Sequence, residues 1–256
     1  MSVYVLVIIG GILAGFVTTL AGLGSVLTLY ILIEVVGLDA DVANGTNRLG
    51  IMAMALMAIP TFYKEGHLNL KKSWPIILTL FAGSVGGVLL AVQIDNIAFK
   101  SVFRYLLIIL LFIVLINPKK WIRDTDHTHK MSYWMLPVLL IIGFYAGFIQ
   151  VGTGALLVVF LALVGRYSLV DSNGIKLVAF ALYTAFCILI FAYNEKISWE
   201  LGSILALGEG IGAYVAAKVA TSYPKANSMV RYLLITILLI AIVQLFELHT
   251  YFIAMV

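Results

Sequence analysis

The sequence has very little charge and almost no cysteine. Only 11% of its 256 residues are charged, whereas a soluble domain carries about 25%. This shortage excludes a water-soluble globule, because too little polar surface is available to cover one. The single cysteine, Cys187, excludes an internal disulfide, and no cluster of cysteine and histidine indicates a metal site.

Catalytic signatures are missing as well. The chain contains no H-E-x-x-H zinc motif, no Walker loop and no G-x-S-x-G elbow. Asp39, Asp41 and Asp171 fall in predicted loops, which argues against an intramembrane aspartyl protease. The sequence therefore predicts a protein that is not an enzyme and has no catalytic residue, metal or cofactor.

Long apolar runs are abundant. Hydrophobic residues make up 63% of the chain, the mean hydropathy is +1.11, and about 20 such residues cross a bilayer as a helix. The net charge of +4 does not indicate nucleic acid, because the basic residues lie in short loops. We therefore predict an all-α, polytopic transmembrane helical protein. Its apolar blocks are 3–36, 49–63, 74–93, 102–116, 134–164, 177–193, 201–217 and 230–246.

The two halves of the chain repeat each other. Glycine, asparagine and arginine motifs recur in the same order at a nearly constant offset. The sequence thus predicts a first transmembrane repeat at 1–116, a polar cytoplasmic linker at 117–133 and a second transmembrane repeat at 134–256. The matched segments are Ala14-Gly15-Phe16 with Ala146-Gly147-Phe148, Gly22 to Gly24 with Gly152 to Gly154, Asn44-Gly45 with Asn173-Gly174, Gly83 and Gly87 with Gly208 and Gly212, and Arg104 to Ile108 with Arg231 to Ile235.

The first block of each repeat is longer than one crossing needs and is interrupted by glycine. Each block is either one long tilted helix or two short helices folded back at the glycines. Folding back places most loop lysines and arginines on one face, as the positive-inside rule expects, whereas single crossings divide them evenly. We therefore predict two inverted repeats, each starting with a glycine-broken helix, in a multi-pass protein with both termini periplasmic or extracellular.

Broken helices in inverted repeats are typical of transporters, because the breaks free backbone groups that a solute can bind. The first site candidates are the glycines at the breaks, Gly22, Gly24, Gly152 and Gly154, together with the adjacent Thr153. Close helix packing is the alternative interpretation. For Gly83, Gly87, Gly208 and Gly212, spaced as G-x-x-x-G, packing is the favoured one. The polar residues Thr18, Thr19 and Gln150 precede the breaks and could bind solute or bond a neighbouring helix.

A second polar element follows each broken block. Asn44, Thr46, Asn47 and Arg48 open the next helix in the first repeat, and Asn173 and Lys176 open it in the second. Each asparagine is a candidate N-cap. Arg48 and Lys176 would suit an anionic solute, or they are interfacial anchors that snorkel to headgroups.

Glu209 is a carboxylate well inside a predicted span. Such a group is a candidate proton carrier or the partner of a buried cation. A structural ion pair and a shallow position in the span are the alternatives. The histidines all fall in loops or near the carboxy-terminus, so no buried histidine relay is predicted.

The order of these motifs resembles the TauE/SafE family of sulfite exporter-like permeases. The resemblance rests on Ala14-Gly15-Phe16, Gly22-Leu23-Gly24, Ala43 to Asn47, Tyr63 with Gly66, and Gly83 to Gly87, echoed in the second half. This chain departs from the glycine-richer family break at Ser25 and Ala155, and it has Ile175-Lys176 where the first repeat has Thr46-Asn47.

The resemblance implies a secondary transporter of the inner membrane that exports a small sulfur-containing anion, sulfite or an organosulfonate, by alternating access with proton coupling. The expected partners are a small anionic solute and the lipid bilayer, with a homodimer as an option and no nucleic acid. A small-solute channel and a membrane scaffold or assembly factor without flux are the alternatives.

Overall fold

The computed structural model describes residues 3–115 and 133–222, and it is helical almost throughout them. The all-α prediction is therefore confirmed. The predicted linker, apart from residue 133, and the end of the second repeat lie outside the described residues, as does the Arg231 to Ile235 motif. The helices are α1 Val3–Ala21, α2 Ser25–Tyr30 with a π-helical continuation at Ile31–Val35, α3 Ala40–Lys64, α4 Leu70–Ala91, α5 Asn96–Leu115, α6 Met135–Ile149, α7 Thr153–Leu163, α8 Leu169–Tyr193 and α9 Trp199–Ser222.

Within the described ranges, α1, α4, α8 and α9 are long and apolar enough to cross a membrane. Three shorter apolar helices accompany them: Ser25–Val35, Met135–Ile149 and Thr153–Leu163. The short helices are the parts of the two broken blocks that surround the glycines. The protein is thus a multi-pass membrane protein whose first block in each repeat is divided.

Both predicted breaks occur at the expected glycines. In the first repeat α1 ends at Ala21, and Gly22 has a φ of +77°, which a side chain would oppose. The α2 segment then returns along α1, because Gly24 packs against the Ala14 carbonyl and Ile31 packs against Gly10. This geometry agrees with the folded-back alternative. In the second repeat, Gln150 at 41° and Gly152 at 74° make the turn between α6 and α7.

The N-cap interpretation of Asn44 and Asn173 is wrong. Helix α3 begins at Ala40 after Asp39, and α8 begins at Leu169 after Ser168, whose side chain accepts a hydrogen bond from the Asp171 N–H. Each asparagine therefore lies about one turn inside its helix, where an Asn side chain cannot cap the start of that helix. These side chains are free to bond outside their own helix.

Each repeat begins with a helix that packs most extensively on the other repeat: α1 packs on α9, and α6 packs on α4. Glycines line both contacts, so the backbones touch directly. Gly15 lies against the Glu209 backbone and Gly212 against Ile12, while Gly87 lies against Phe144. The packing interpretation of the four G-x-x-x-G glycines is confirmed. We call these two contacts the glycine stripes: Gly11, Gly15, Gly208 and Gly212 in one, and Gly83, Gly87, Gly143 and Gly147 in the other.

Close backbone contacts also fix helix directions. The start of α3 meets the end of α8, because Gly45 packs against Phe191 and Lys196, and the end of α3 meets the start of α8, because His67 packs against Gly174. The two helices are therefore antiparallel. They occupy equivalent places in the two repeats, so their opposite directions are those expected for inverted repeats, which stay a prediction for the chain as a whole.

Candidate functional site

The C-terminal end of α1 is bound by side chains from the second repeat. The Lys176 ammonium donates to the backbone oxygens of Thr18 at 2.8 Å and Thr19 at 3.0 Å. The Asn173 amide donates to the next oxygen, on Leu20, at 3.4 Å. Three consecutive carbonyls in the last turn of α1 are thus bound from α8, and the Thr18 oxygen also accepts a hydrogen bond from the Gly22 N–H at 2.9 Å.

The C-terminal end of α6 is bound in the same way from the first repeat. The Arg48 guanidinium donates to the backbone oxygens of Ala146 at 2.8 Å and Gly147 at 2.9 Å. The Asn44 amide donates to Phe148 O at 2.9 Å. Each repeat therefore supplies one cation and one asparagine to the broken helix of the other, and we call these two groups the crossed caps.

The crossed caps explain why charge is tolerated here. Arg48 and Lys176 are both 0% exposed, so the alternative that they snorkel to the interface is wrong. A cation at a helix C-terminus faces the negative end of the helix dipole, and it supplies hydrogen-bond donors to carbonyls such as Thr19 O and Gly147 O. The two cations therefore hold the two breaks in place.

The two caps differ in how completely their donors are used. Lys176 gives its third N–H to Asn173 Oδ1 at 2.6 Å, so all three of its donors are used. Arg48 also bonds Gln150 and Asn44, yet its Nε has no hydrogen-bond partner among the described residues. Gln150 in turn donates to the Tyr183 hydroxyl at 2.8 Å. The Arg48 cap thus keeps one buried donor that is not used.

The two glycine breaks meet each other. A Cβ on Gly22 would lie 2.6 Å from Gly154 Cα, and one on Gly154 would lie 2.6 Å from Gly22 Cα. The breaks are therefore in backbone contact in this conformation, with the Lys176 side chain beside Gly154. Gly24, in contrast, has a helical φ of −64° and packs against α1. The hydroxyl of Thr153, at the first turn of α7, is buried and has no described partner.

Thr46 and Asn47 connect α3 to other elements. Thr46 Oγ1 accepts a hydrogen bond from the Ser198 N–H at 2.9 Å, before α9. Asn47 Oδ1 accepts one from the Thr28 hydroxyl at 2.7 Å, on α2. The amide nitrogen of Asn47 is buried without a described partner. The Asn47 contact joins α3 to the first broken block, and the Thr46 contact joins α3 to the segment before α9.

Glu209 lies apart from both caps, near the middle of α9. It is 0% exposed, and neither of its carboxylate oxygens has a hydrogen-bond partner among the described residues. Its carboxyl group lies against Gly50 of α3, where a Cβ would come within 2.7 Å of it. The alternatives of a shallow position and of a structural ion pair are not supported by this placement, since the described ion pairs all lie elsewhere.

Sequence reasoning missed three residues at the site. Gly50 makes room for the Glu209 carboxyl group, Tyr183 binds Gln150, and Thr28 binds Asn47. Gly50 could have been noticed as a glycine two residues after Arg48. Tyr183 and Thr28 lie in ordinary apolar helices and give no local signal.

Known proteins resemble the chain along most of its length. It is 31% identical over 228 residues to a probable membrane transporter protein of Haemophilus influenzae, covering 86% of each chain. It is 26% identical to the probable membrane transporter protein ORF9 of a Sinorhizobium species, covering 90% of this chain and 87% of that one. It is 24% identical to the probable membrane transporter protein YfcA of Escherichia coli, covering 88% and 82%. No solved structure matches the chain.

The family model for the sulfite exporter TauE/SafE matches residues 7–245. That range contains both glycine breaks, both crossed caps and Glu209. The names of the family and of the relatives point to a membrane transporter and not to an enzyme. Because the match covers nearly the whole chain, this protein is a membrane transporter that belongs to the TauE/SafE family.

Proposed function

We propose that the protein is a secondary transporter that exports a small sulfur-containing anion, sulfite or an organosulfonate, across the inner membrane. The observation that carries the proposal of an anion is the pair of buried cations, Arg48 and Lys176, whose hydrogen bonds go to neutral oxygens. Two positive charges that no described carboxylate neutralises make the centre of the protein favourable for an anion. The choice of sulfur compounds comes from the family description alone.

The solute-binding groups in this proposal surround the two breaks. They combine backbone donors, hydroxyls and amides with a nearby cation, which is how oxyanions are bound in proteins. The unused Arg48 Nε and the unpartnered Thr153 hydroxyl support a place for solute there. The proposed set is Gly22, Gly24, Asn44, Thr46, Asn47, Arg48, Gln150, Gly152, Thr153, Gly154, Asn173 and Lys176.

Transport proceeds by alternating access in this proposal. Because Gly22 and Gly154 touch, the solute enters only when the two broken blocks move apart. The antiparallel directions of α3 and α8 support inverted repeats that rock against each other. Both termini on the periplasmic or extracellular side, and a homodimer as an option, remain part of the proposal.

Glu209 is the proposed site of proton coupling. A buried carboxyl group without a hydrogen-bonding partner costs less free energy when protonated, so it is suited to bind a proton when the site is closed and to release it when water enters. It lies on α9, which packs along α1 and α3, so its protonation is placed to affect helices of both repeats.

Flux measurements in proteoliposomes test the proposal. We expect saturable flux of sulfite or an alkyl sulfonate that responds to a pH gradient. Glu209→Gln keeps the shape of the side chain and should abolish the response to the gradient while flux persists. Glu195→Gln, at an exposed position, is the matched control.

Three results would contradict parts of this proposal. Linear, non-saturating flux that ignores the gradient would favour a small-solute channel. No flux for any tested anion would favour a scaffold or assembly factor. A wild-type response to the gradient in Glu209→Gln would remove proton coupling from this residue and leave anion transport standing.

A further inference from the structure

Two ion pairs join the repeats outside the central site. The Asp41 carboxylate lies 3.0 Å from the Lys196 ammonium, and His67 Nδ1 lies 3.0 Å from the Asp171 carboxylate. In each pair one partner belongs to the first repeat and the other to the second. Neither pair contacts the crossed caps.

The pairs lie at opposite ends of the same two antiparallel helices. Asp41 is in the first turn of α3, and His67 follows its end; α3 has 25 residues, which span about 37 Å at 1.5 Å per residue. Asp171 is in the first turn of α8, and Lys196 follows its end. In both pairs an acid at the start of one helix meets a base just past the end of the other, so the arrangement is the same at both ends.

Both pairs are close enough to water to break and form again. The side chains of Lys196 and Asp41 are 20% and 14% exposed, and those of His67 and Asp171 are 35% and 22% exposed. Ion pairs that are partly exposed to water contribute little to stability, so their opening is compatible with repeated cycling. Lys196 also donates to Val92 O at 2.8 Å, which links the end of α4 to the same pair.

We propose that these ion pairs are two latches, one at each face, that open alternately during transport. This inference rests on the proposed function, because alternating access requires each face to open while the other stays closed. Both latches are closed here, and the touching breaks lie between them. The conformation is therefore occluded, and breaking one latch biases the protein towards opening at that end.

The two latches differ in chemistry. One joins a lysine ammonium to a carboxylate, and the other joins an imidazole nitrogen to a carboxylate.

The single native cysteine provides the test. Cys187 is 0% exposed on α8 between the two latches, so a membrane-impermeant maleimide should react with it slowly in the wild type. His67→Gln should accelerate labelling about two- to fivefold from one face of the membrane, and Lys196→Gln should do so from the opposite face. Lys71→Gln, at an exposed position, is the control. Unchanged labelling, or acceleration from the same face in both variants, would overturn the proposal.

Two further variants distinguish the loss of a latch from the loss of the folded structure. The exchange Asp41→Lys with Lys196→Asp restores an ion pair and should return labelling to the wild-type rate. His67→Lys keeps a base opposite Asp171, so labelling from that face should stay at the wild-type rate. A restored pair that still labels fast would count against the latch.

The labelling experiment needs neither solute nor flux. Face-specific labelling in a protein that transports none of the tested anions would preserve the latches and refute the proposed substrate. Flux without any face-specific change in labelling would preserve the transporter and refute the latches. The two proposals therefore fail separately.

Discussion

The two repeats build the same support with different side chains. In the first, Arg48 caps a broken helix; in the second, Lys176 caps the corresponding helix end through carbonyls a few residues closer to the break. The glycine stripes are equivalent as well, since Gly147 lies against the Ser84 backbone and Gly15 against the Glu209 backbone. At that matched position one repeat carries a hydroxyl and the other a carboxylate.

The two repeats therefore share their packing and differ in the chemical group at this one position. The features that hold the breaks and pack the helices are present twice, whereas the buried carboxylate is present once among the described residues. Ser84 satisfies its hydroxyl on Phe81 O at 2.7 Å within its own helix, but Glu209 has no such partner. The shared scaffold thus accommodates a buried carboxyl group in one repeat and a hydroxyl at the matched position in the other.

Removing a cap should have the largest effect and the same effect in either repeat. Arg48→Ala or Lys176→Ala leaves carbonyls at a buried helix end without a partner, and each should lower the free energy of unfolding by about 3–5 kcal/mol. Thermal unfolding in detergent measures the loss, with Lys71→Ala as the control. A loss below about 1 kcal/mol in either variant would show that its cap does not support the break.

The glycine stripes should come next, again with equal effects. A Cβ on Gly87 or Gly212 would collide with backbone of the facing helix, so Gly87→Ala and Gly212→Ala should each cost about 1–3 kcal/mol. The matched controls are Gly86→Ala and Gly210→Ala, where the nearest atom is a side chain 3.3 Å away. Equal stability of a stripe variant and its control would contradict direct backbone packing.

The smallest effect is predicted for a substitution that makes one position of the first repeat resemble its counterpart in the second. Thr46 Oγ1 accepts from the Ser198 N–H, whereas Ile175 occupies the equivalent position on α8. Thr46→Val should cost about 1 kcal/mol, because the Ser198 N–H loses its acceptor. Chemical unfolding measures the difference, and Thr79→Val, in which only a bond within α4 is lost, is the comparison. An unchanged free energy of unfolding in Thr46→Val would mean that this hydrogen bond does not stabilise the fold.

The sequence predicted the helices and the places of the breaks, because apolar runs and glycine patterns are local. It misassigned Asn44 and Asn173 as N-caps and placed Arg48 and Lys176 at the membrane surface as one alternative. The actual partners of these residues lie on the other repeat, more than ninety positions away along the chain. The local pattern of hydrophobic residues carries no information about hydrogen bonds between such distant positions.

The role of Glu209 shows the same limit. Its presence inside a span was visible, but Gly50, which makes room for it, lies on another helix and looked like an ordinary small residue. Whether a buried acid is paired depends on what surrounds it in three dimensions. The sequence therefore predicted that Glu209 lies inside a span, but it did not predict which residues surround its carboxyl group.

The glycine stripe between α1 and α9 has a consequence for biosynthesis. Helix α1 leaves the ribosome long before its main packing partner, Trp199–Ser222, and before its cap, Lys176. Until then α1 presents a glycine face and uncapped carbonyls to lipid or to the insertion machinery. Assembly of the first repeat must therefore wait for the second, and the order of synthesis is not the order in which the fold is completed.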